Sequence, residues 1–189
     1  MYIRKTPGSF RNTTLKIITR ALSASRCSER CKLRSPAETA SRQPTNASAA
    51  GVAITANINR YYGWYNLSGD LDNAAYAFKK ELDFWETIDK PLILSEYGAD
   101  TVAGMHGFAP EMFTEEFQVE YYRTINGCLD ERRFVVGEWP WNFADFSTQQ
   151  GPMRVGSCNR KGLFTRERTP KLAAHYFRDR WGKKEPNDR

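Results

Sequence analysis

An α/β fold with parallel strands is predicted by three observations on this 189-residue chain. Apolar runs of strand length alternate with stretches of helical period in the order strand, helix, strand, helix, strand, loop, helix. That order repeats one βα unit three times, as parallel sheets require. The middle strand, Leu92-Ile93-Leu94, is entered from Pro91 and breaks off in Glu96, just before Gly98. All three strands end in polar and aromatic residues, and the carboxyl ends of parallel strands are where chemistry collects.

The first strand is read over residues 51–59 and runs into the cluster Arg60-Tyr61-Tyr62-Gly63-Trp64-Tyr65. Asp70 then caps a helix whose apolar residues Leu71, Ala74, Phe78, Leu82, Trp85 and Ile88 keep helical spacing. After the strand that delivers Glu96, a loop passes through His106 and Pro110. Thr114 caps the next helix, with Glu115 and Glu116 in its first turn and Phe117, Tyr121, Ile125 and Leu129 on one face. The third strand lies within residues 134–143, and a long irregular loop follows with Arg154, Asn159 and Lys161. Thr169 is read as the cap of the last helix, Pro170 as its first residue, and Leu172, Ala173, Tyr176 and Phe177 as its inner face.

Composition divides the chain at about residue 50. Residues 1–50 carry ten Lys or Arg against Glu29 and Glu38, a net +8, which leaves −2 of the total +6 for residues 51–189. Of the 25 aromatic residues only Tyr2 and Phe10 precede residue 51. The first segment is Arg-, Ser- and Thr-rich and lacks an apolar period, so it reads as a disordered arm, a transit-like leader or a segment joined to an unrelated body. Residues 51–189 are the folded domain. Without a basic footprint on that body, nucleic acid is not an expected partner, and salt-steep binding to DNA or RNA would be needed to revive it. No run of 18 apolar residues is present, no signal peptide is evident, and the compartment stays open. Cys27, Cys31, Cys128 and Cys158 lack the second pair or nearby histidines of a zinc site and read as free thiols.

The strand ends suit a sugar. Asn59, Tyr61, Trp64 and Tyr65 follow the first, Glu96 ends the second, and Trp141, Asn142 and Asp145 follow the third. Aromatic faces pack on the C–H faces of pyranose rings while amides and carboxylates bind hydroxyls. Taken singly, each has a plainer reading: a core aromatic, a charged residue opening a loop, a solvated turn at Asn159-Arg160-Lys161. His106 reads as a hydrogen-bonded loop anchor and His175 as a surface residue.

From about Asn59 to Trp181 the chain resembles the C-terminal part of the β-glucuronidases of glycoside hydrolase family 2. The resemblance rests on Asn59-Arg60-Tyr61-Tyr62-Gly63-Trp64-Tyr65, Ser95-Glu96-Tyr97-Gly98 with Asp100, Ala103-Gly104-Met105-His106, Phe113-Thr114-Glu115-Glu116, Val135-Val136-Gly137-Glu138, Trp141-Asn142-Phe143-Ala144-Asp145-Phe146, Asn159-Arg160-Lys161-Gly162 and Phe164-Thr165-Arg166. It implies that the strands are the sixth to eighth of a TIM barrel and that Glu96 is the nucleophile of a retaining glycosidase. Retention needs two carboxyl groups roughly 5–5.5 Å apart, and Glu96 can be only the attacking one. The same resemblance implies that Tyr61 holds the nucleophile, that Asn59, Tyr65 and Trp141 line the sugar pocket, and that Asn159 and Lys161 recognise the uronate, with Arg154 a further carboxylate partner. The substrate is then a β-glucuronide, no metal or organic cofactor is used, and the full-length enzyme is a homo-oligomer. A lysine that neutralises the sugar carboxylate would be left an unpaired, partly desolvated cation by a neutral sugar.

Two departures matter. One residue more than the family spacing stands between Gly156 and Asn159. The acid/base of the family lies in an Asn-Glu pair about ninety residues before the nucleophile, and no Asn-Glu dipeptide occurs in this chain. The expectation is therefore a partial barrel, inactive alone, with a non-catalytic carbohydrate-binding remnant as the rival reading.

Overall fold

The computed structural model describes residues 55–183. The expectations for residues 1–50, for Cys27 and Cys31, and for strand residues 51–54 lie outside them. Strand β1 is Ala56–Asn59, helix α1 Leu71–Glu86, β2 Leu92–Tyr97, α2 Glu115–Asp130 and β3 Val135–Pro140. Two short strands follow, β4 at Phe146–Ser147 and β5 at Cys158–Asn159, before helix α3 at Leu172–Lys183. The sheet order is β1-β2-β3, so β1 and β2 are each followed by a helix before the chain returns to the neighbouring strand. Among the described residues the sheet is open and does not close into a barrel.

β2 is the central strand, and its sequence shows why. Leu92, Ile93 and Leu94 are buried, the unbroken apolar run of a parallel strand covered on both faces. β2 pairs in parallel with β3, Ile93 opposite Gly137 and Leu94 opposite Glu138. A side chain at Gly137 would press against Ile93, its Cβ 3.3 Å from the Ile93 branch. The register slips on both sides of that pairing, and Tyr97 ends opposite Pro140.

The helices follow their capping chemistry in two cases. The Asp70 carboxylate accepts the Asn73 N–H at 3.1 Å, and the Thr114 hydroxyl accepts the Phe117 N–H at 3.2 Å. α2 packs against both α1 and α3. Phe117, Tyr121, Ile125 and Leu129 are buried as expected, and so are Gln118, Tyr122, Asn126 and Cys128, because a helix flanked on two sides buries more than one stripe. Tyr122 meets Tyr97 of β2 edge-on at 5.4 Å and Phe177 of α3 at 4.7 Å, which places the centre of the core between sheet, α2 and α3. Asn126 accepts the Tyr97 hydroxyl at 2.7 Å and donates to the Tyr176 hydroxyl at 3.0 Å, a satisfied polar bridge through that core.

Three local expectations are corrected. Ile88 lies beyond the end of α1 and is exposed. Thr169 does not cap α3. It closes a turn on Thr165, Pro170 bridges to Phe164, and the helix begins at Leu172, whose N–H is accepted by the Glu115 carboxylate at 2.6 Å. The distant acid satisfies a terminal donor that a local cap normally takes. Leu172 is exposed, and Ala174 joins Ala173 and Phe177 inside.

Candidate active site

Glu96 is half-buried near the carboxyl end of β2, and its neighbours are fixed by backbone pairing. Arg60 N–H donates to the Glu96 carbonyl at 2.8 Å, so the segment leaving β1 continues alongside β2. Arg60 and Tyr62 are both anchored on Glu81 of α1, with Arg60 Nε 2.7 Å and the Tyr62 hydroxyl 3.1 Å from its carboxylate. Between these anchors Tyr61 is turned the other way, and its hydroxyl donates to Glu96 Oε2 at 2.9 Å. Burial and then that hydrogen bond push the Tyr61 phenol far above its ordinary range, so it stays a proton donor to the carboxylate.

The Tyr65 ring meets the Tyr61 ring edge-on at 5.2 Å. Its hydroxyl receives Lys161 Nζ at 2.9 Å and Arg154 Nη2 at 2.7 Å. Lys161 is 1% exposed and lies within 6 Å of the ring centres of Tyr61, Trp64 and Tyr65. Its ammonium is paired with Asp100, likewise 1% exposed, which also takes Arg154 Nη1 at 3.3 Å and the Arg160 backbone N–H at 2.7 Å. The expected unpaired lysine is thus corrected: Asp100 already neutralises it, and the excess cation of the cluster is Arg154.

Asn159 is buried, its side-chain oxygen accepting the Lys161 N–H at 3.2 Å, which leaves the amide NH2 as its free end for an acceptor. Asn59 is exposed, and its side-chain oxygen accepts the Ser95 hydroxyl at 2.7 Å. Trp141 is half-buried, with its N–H on the Tyr97 carbonyl at 2.8 Å and its ring edge-on to Phe146 at 6.2 Å. The structure therefore joins Glu96 to Tyr61, and joins Tyr65 to Arg154 and Lys161. It places Asn59 and Trp141 at the flanking strand ends, each engaged with a neighbour of its own.

Two residues considered as sugar contacts belong to the core. Trp64 is fully buried against Phe113. Asp145 is buried and paired with Lys171 at 2.9 Å while accepting the Gly162 N–H, also at 2.9 Å. Lys171 Nζ donates further to the Thr101 and Arg160 carbonyls at 2.9 and 2.8 Å. Burial raises the Asp145 pKa and lowers that of Lys171, each held back by the other's charge. This pair pins the 159–162 loop from beneath, while β4 and β5, paired antiparallel, close its base. Gly162 is obligatory there, since a Cβ would overlap the Asp145 N–H and the Phe164 carbonyl.

His106 bonds Glu116 through Nδ1 at 2.8 Å, a tether of the loop that follows β2. His175 is half-buried rather than exposed. Cys128 and Cys158 are free thiols. Among the described residues no group of three or more His, Cys, Asp or Glu stands together as a metal site, and no helix is long and apolar enough to cross a membrane. Asp100 and Lys171 carry the arrangement with no role expected from sequence, and Asp145, expected at the sugar, is instead the partner of Lys171. An acid four residues past Glu96 was the only local sign of the first, and nothing near Lys171 marked its pairing with Asp145.

The sequence model of the family described as "Glycosyl hydrolases family 2, TIM barrel domain" matches residues 40–185. A beta-glucuronidase of Paenibacillus borealis is 47% identical over 126 residues, which are 66% of this chain and 21% of that protein. Among solved structures, the beta-glucuronidase of Faecalibacterium prausnitzii superposes with a TM-score of 0.66 at 60% identity, over 68% of this chain and 22% of that one. The beta-glucuronidase of Bifidobacterium dentium, solved in complex with coumarin-3-O-glucuronide, gives a TM-score of 0.68 at 57% identity, over 70% of this chain and 21% of that one. The chain spans about a fifth of the length of these relatives.

Proposed function

Since the chain belongs to the TIM barrel domain family of the family 2 glycosyl hydrolases, we propose that it carries the nucleophile-bearing part of a retaining β-glucuronidase. Glu96 attacks the anomeric carbon of a β-glucuronide, the bond to the aglycone oxygen breaks, and the resulting glycosyl ester is later hydrolysed by water with net retention. Tyr61 orients the attacking carboxylate through its 2.9 Å hydrogen bond. Arg154, Lys161 and Asn159 receive the sugar carboxylate, Tyr65 and Trp141 line the ring, and Asn59 lies at the rim. The proton for the leaving oxygen comes from a carboxyl group outside these 189 residues, because the family's Asn-Glu pair does not occur in them. The chain is therefore inactive alone. Residues 51–189 act as the folded domain, and residues 1–50 are a separate basic segment.

One observation carries this reading. Tyr61 and Tyr65 form a single ring pair, one hydroxyl on the carboxylate at Glu96 and the other on the cations Arg154 and Lys161. A nucleophile and an anion-binding cluster standing one ring pair apart suit a sugar that carries its own carboxylate. The test is a chimera in which residues 55–183 replace the matching segment of a full-length relative, assayed on 4-nitrophenyl β-D-glucuronide and the corresponding glucoside. Turnover should favour the glucuronide and vanish in Glu96→Gln; turnover that survives this substitution sinks the assignment.

A further inference from the structure

The cations expected to grip a sugar carboxylate do not hold themselves in place. One side of the Asp100 carboxylate takes Lys161 Nζ and Arg154 Nη1, and the other takes the Arg160 N–H at 2.7 Å. A single planar group thus fixes the loop backbone and both side-chain cations, which then converge on the Tyr65 hydroxyl. We infer that Asp100 is a specificity-determining residue, positioning Lys161 and Arg154 so that the site accepts an anionic sugar over a neutral one. The inference rests on reading the site as one for β-glucuronides.

The charge count supports it. Two cations share one internal carboxylate, so one positive charge is unmatched, and Arg154 is the more exposed of the two, at 23% against 1% for Lys161. A sugar monoanion completes the balance, whereas a hydroxymethyl group does not. The deeper pair at Asp145 and Lys171 shows the contrast: one acid meets one base there, and the remaining contacts of that lysine are backbone carbonyls. Lys161 has no such alternative. Its other neighbours are the Tyr65 hydroxyl and three aromatic rings, none of them charged. Without Asp100 the ammonium would be a buried charge lacking a counterion, and it would leave its place among the rings.

The test uses the whole 189-residue chain and protein-observed NMR titrations with methyl β-D-glucuronide and methyl β-D-glucoside, the ratio of the two dissociation constants being the readout. A charge-assisted hydrogen bond predicts a preference for the glucuronide of about 10-fold or more in the unaltered chain. Asp100→Asn keeps the shape but turns an amide toward two cations, and should reduce the preference to about 2-fold or less, with Asp100→Glu in between. A preference that is unchanged or increased in Asp100→Asn overturns the inference alone, since the acid would then be a spectator or a competitor of the sugar. An unaltered chain that does not discriminate overturns the reading of the site and the inference together. If Asp100→Asn does not fold, Asp100→Asn/Lys161→Met removes the buried charge with its partner and keeps the net charge on Arg154. Lys161→Met alone is its reference, since Asp100 still holds Arg154 there: a lower preference in the double variant than in Lys161→Met supports the role of Asp100, and equal preference in the two overturns it.

Discussion

The hydroxyl of Tyr61 stands 2.9 Å from Glu96 Oε2, a contact across 35 residues that links the turn after β1 to the end of β2. Because burial and the carboxylate together keep the phenol protonated, Tyr61 can donate throughout the working pH range of a glycosidase. In the chimera, Tyr61→Phe should lower kcat/KM on glucuronides by about 1.5–3 kcal/mol, the worth of a hydrogen bond to a charged group, and lower it equally on glucosides. Loss confined to glucuronides would place Tyr61 in carboxylate recognition instead.

Lys171 is the structural counterpart of that contact. Its ammonium is buried and gives all three donors to Asp145 and to the Thr101 and Arg160 carbonyls. Lys171→Met leaves an uncompensated carboxylate and strips the Thr101 carbonyl of its donor, while the Arg160 carbonyl keeps the Thr101 N–H, and should destabilise the fold by about 3–5 kcal/mol in urea denaturation. Adding Asp145→Leu should recover only part of this, since Asp145 also accepts the Gly162 N–H. Full recovery would mean that the pair acts by charge alone.

Gly98 sets the approach of β2 to the segment that follows β3. A Cβ there would overlap the Trp141 carbonyl oxygen and crowd the Tyr122 hydroxyl, and backbone cannot swing aside as a side chain can. Gly98→Ala should cost about 3 kcal/mol or more, at the upper end of overpacking penalties, measured by chemical denaturation. A change of under about 1 kcal/mol would show that the strand ends separate easily.

These sites also show what a single sequence can reveal. The place of Glu96 near the end of β2, the Asp70 and Thr114 caps and the inner stripe of α2 were legible because each depends on residues within a few positions of itself. Thr169 misled because its cap-like pattern is overruled by the bridge from Pro170 to Phe164 and by the Glu115 carboxylate, 57 positions away, at Leu172. The roles proposed for Glu96, Tyr61, Asn159 and Lys161 come from family resemblance; periodicity could not have assigned them. The partnership of Asp100 with Lys161 joins residues 61 positions apart, and buried ion pairs of that kind leave no local pattern of spacing or composition.

The tether between His106 and Glu116 makes a pH-dependent contact in the loop after β2. The hydrogen bond that His106 donates to the Glu116 carboxylate raises the His106 pKa above its ordinary value, so its stabilisation is fully present below about pH 6.5 and fades as pH rises through the raised value. Slight burial works against ionised Glu116, but His106 and the Gly107 N–H prevail and lower its pKa. Its contribution is present above about pH 4.5 and is lost as pH falls through the lowered value. The protection factor of the Gly107 amide, corrected for intrinsic exchange, should therefore be greatest between about pH 4.5 and 6.5 and fall toward pH 9. A flat profile would show that charge plays no part in the tether.

The isolated chain separates a missing acid from a missing pocket. A glucuronide with a very good leaving group hardly needs protonation, so a competent nucleophile without its acid partner could still form a glycosyl ester on Glu96. Such attack also requires the sugar to be held in line. In the described residues β2 is backed by β1 on one side and β3 on the other, while the far wall of a barrel interior is not built. Lost positioning of this kind is worth several kcal/mol, enough to suppress the reaction even where the Arg154 and Lys161 cluster retains weak binding. The expected outcome is that the 189-residue chain, incubated with a 2-fluoro glucuronide bearing an activated leaving group, shows no added mass and no turnover. The control is Glu96→Gln. A stoichiometric adduct on the unaltered chain, absent from the control, would show that three strands and the Tyr61 hydrogen bond are sufficient to arm the nucleophile.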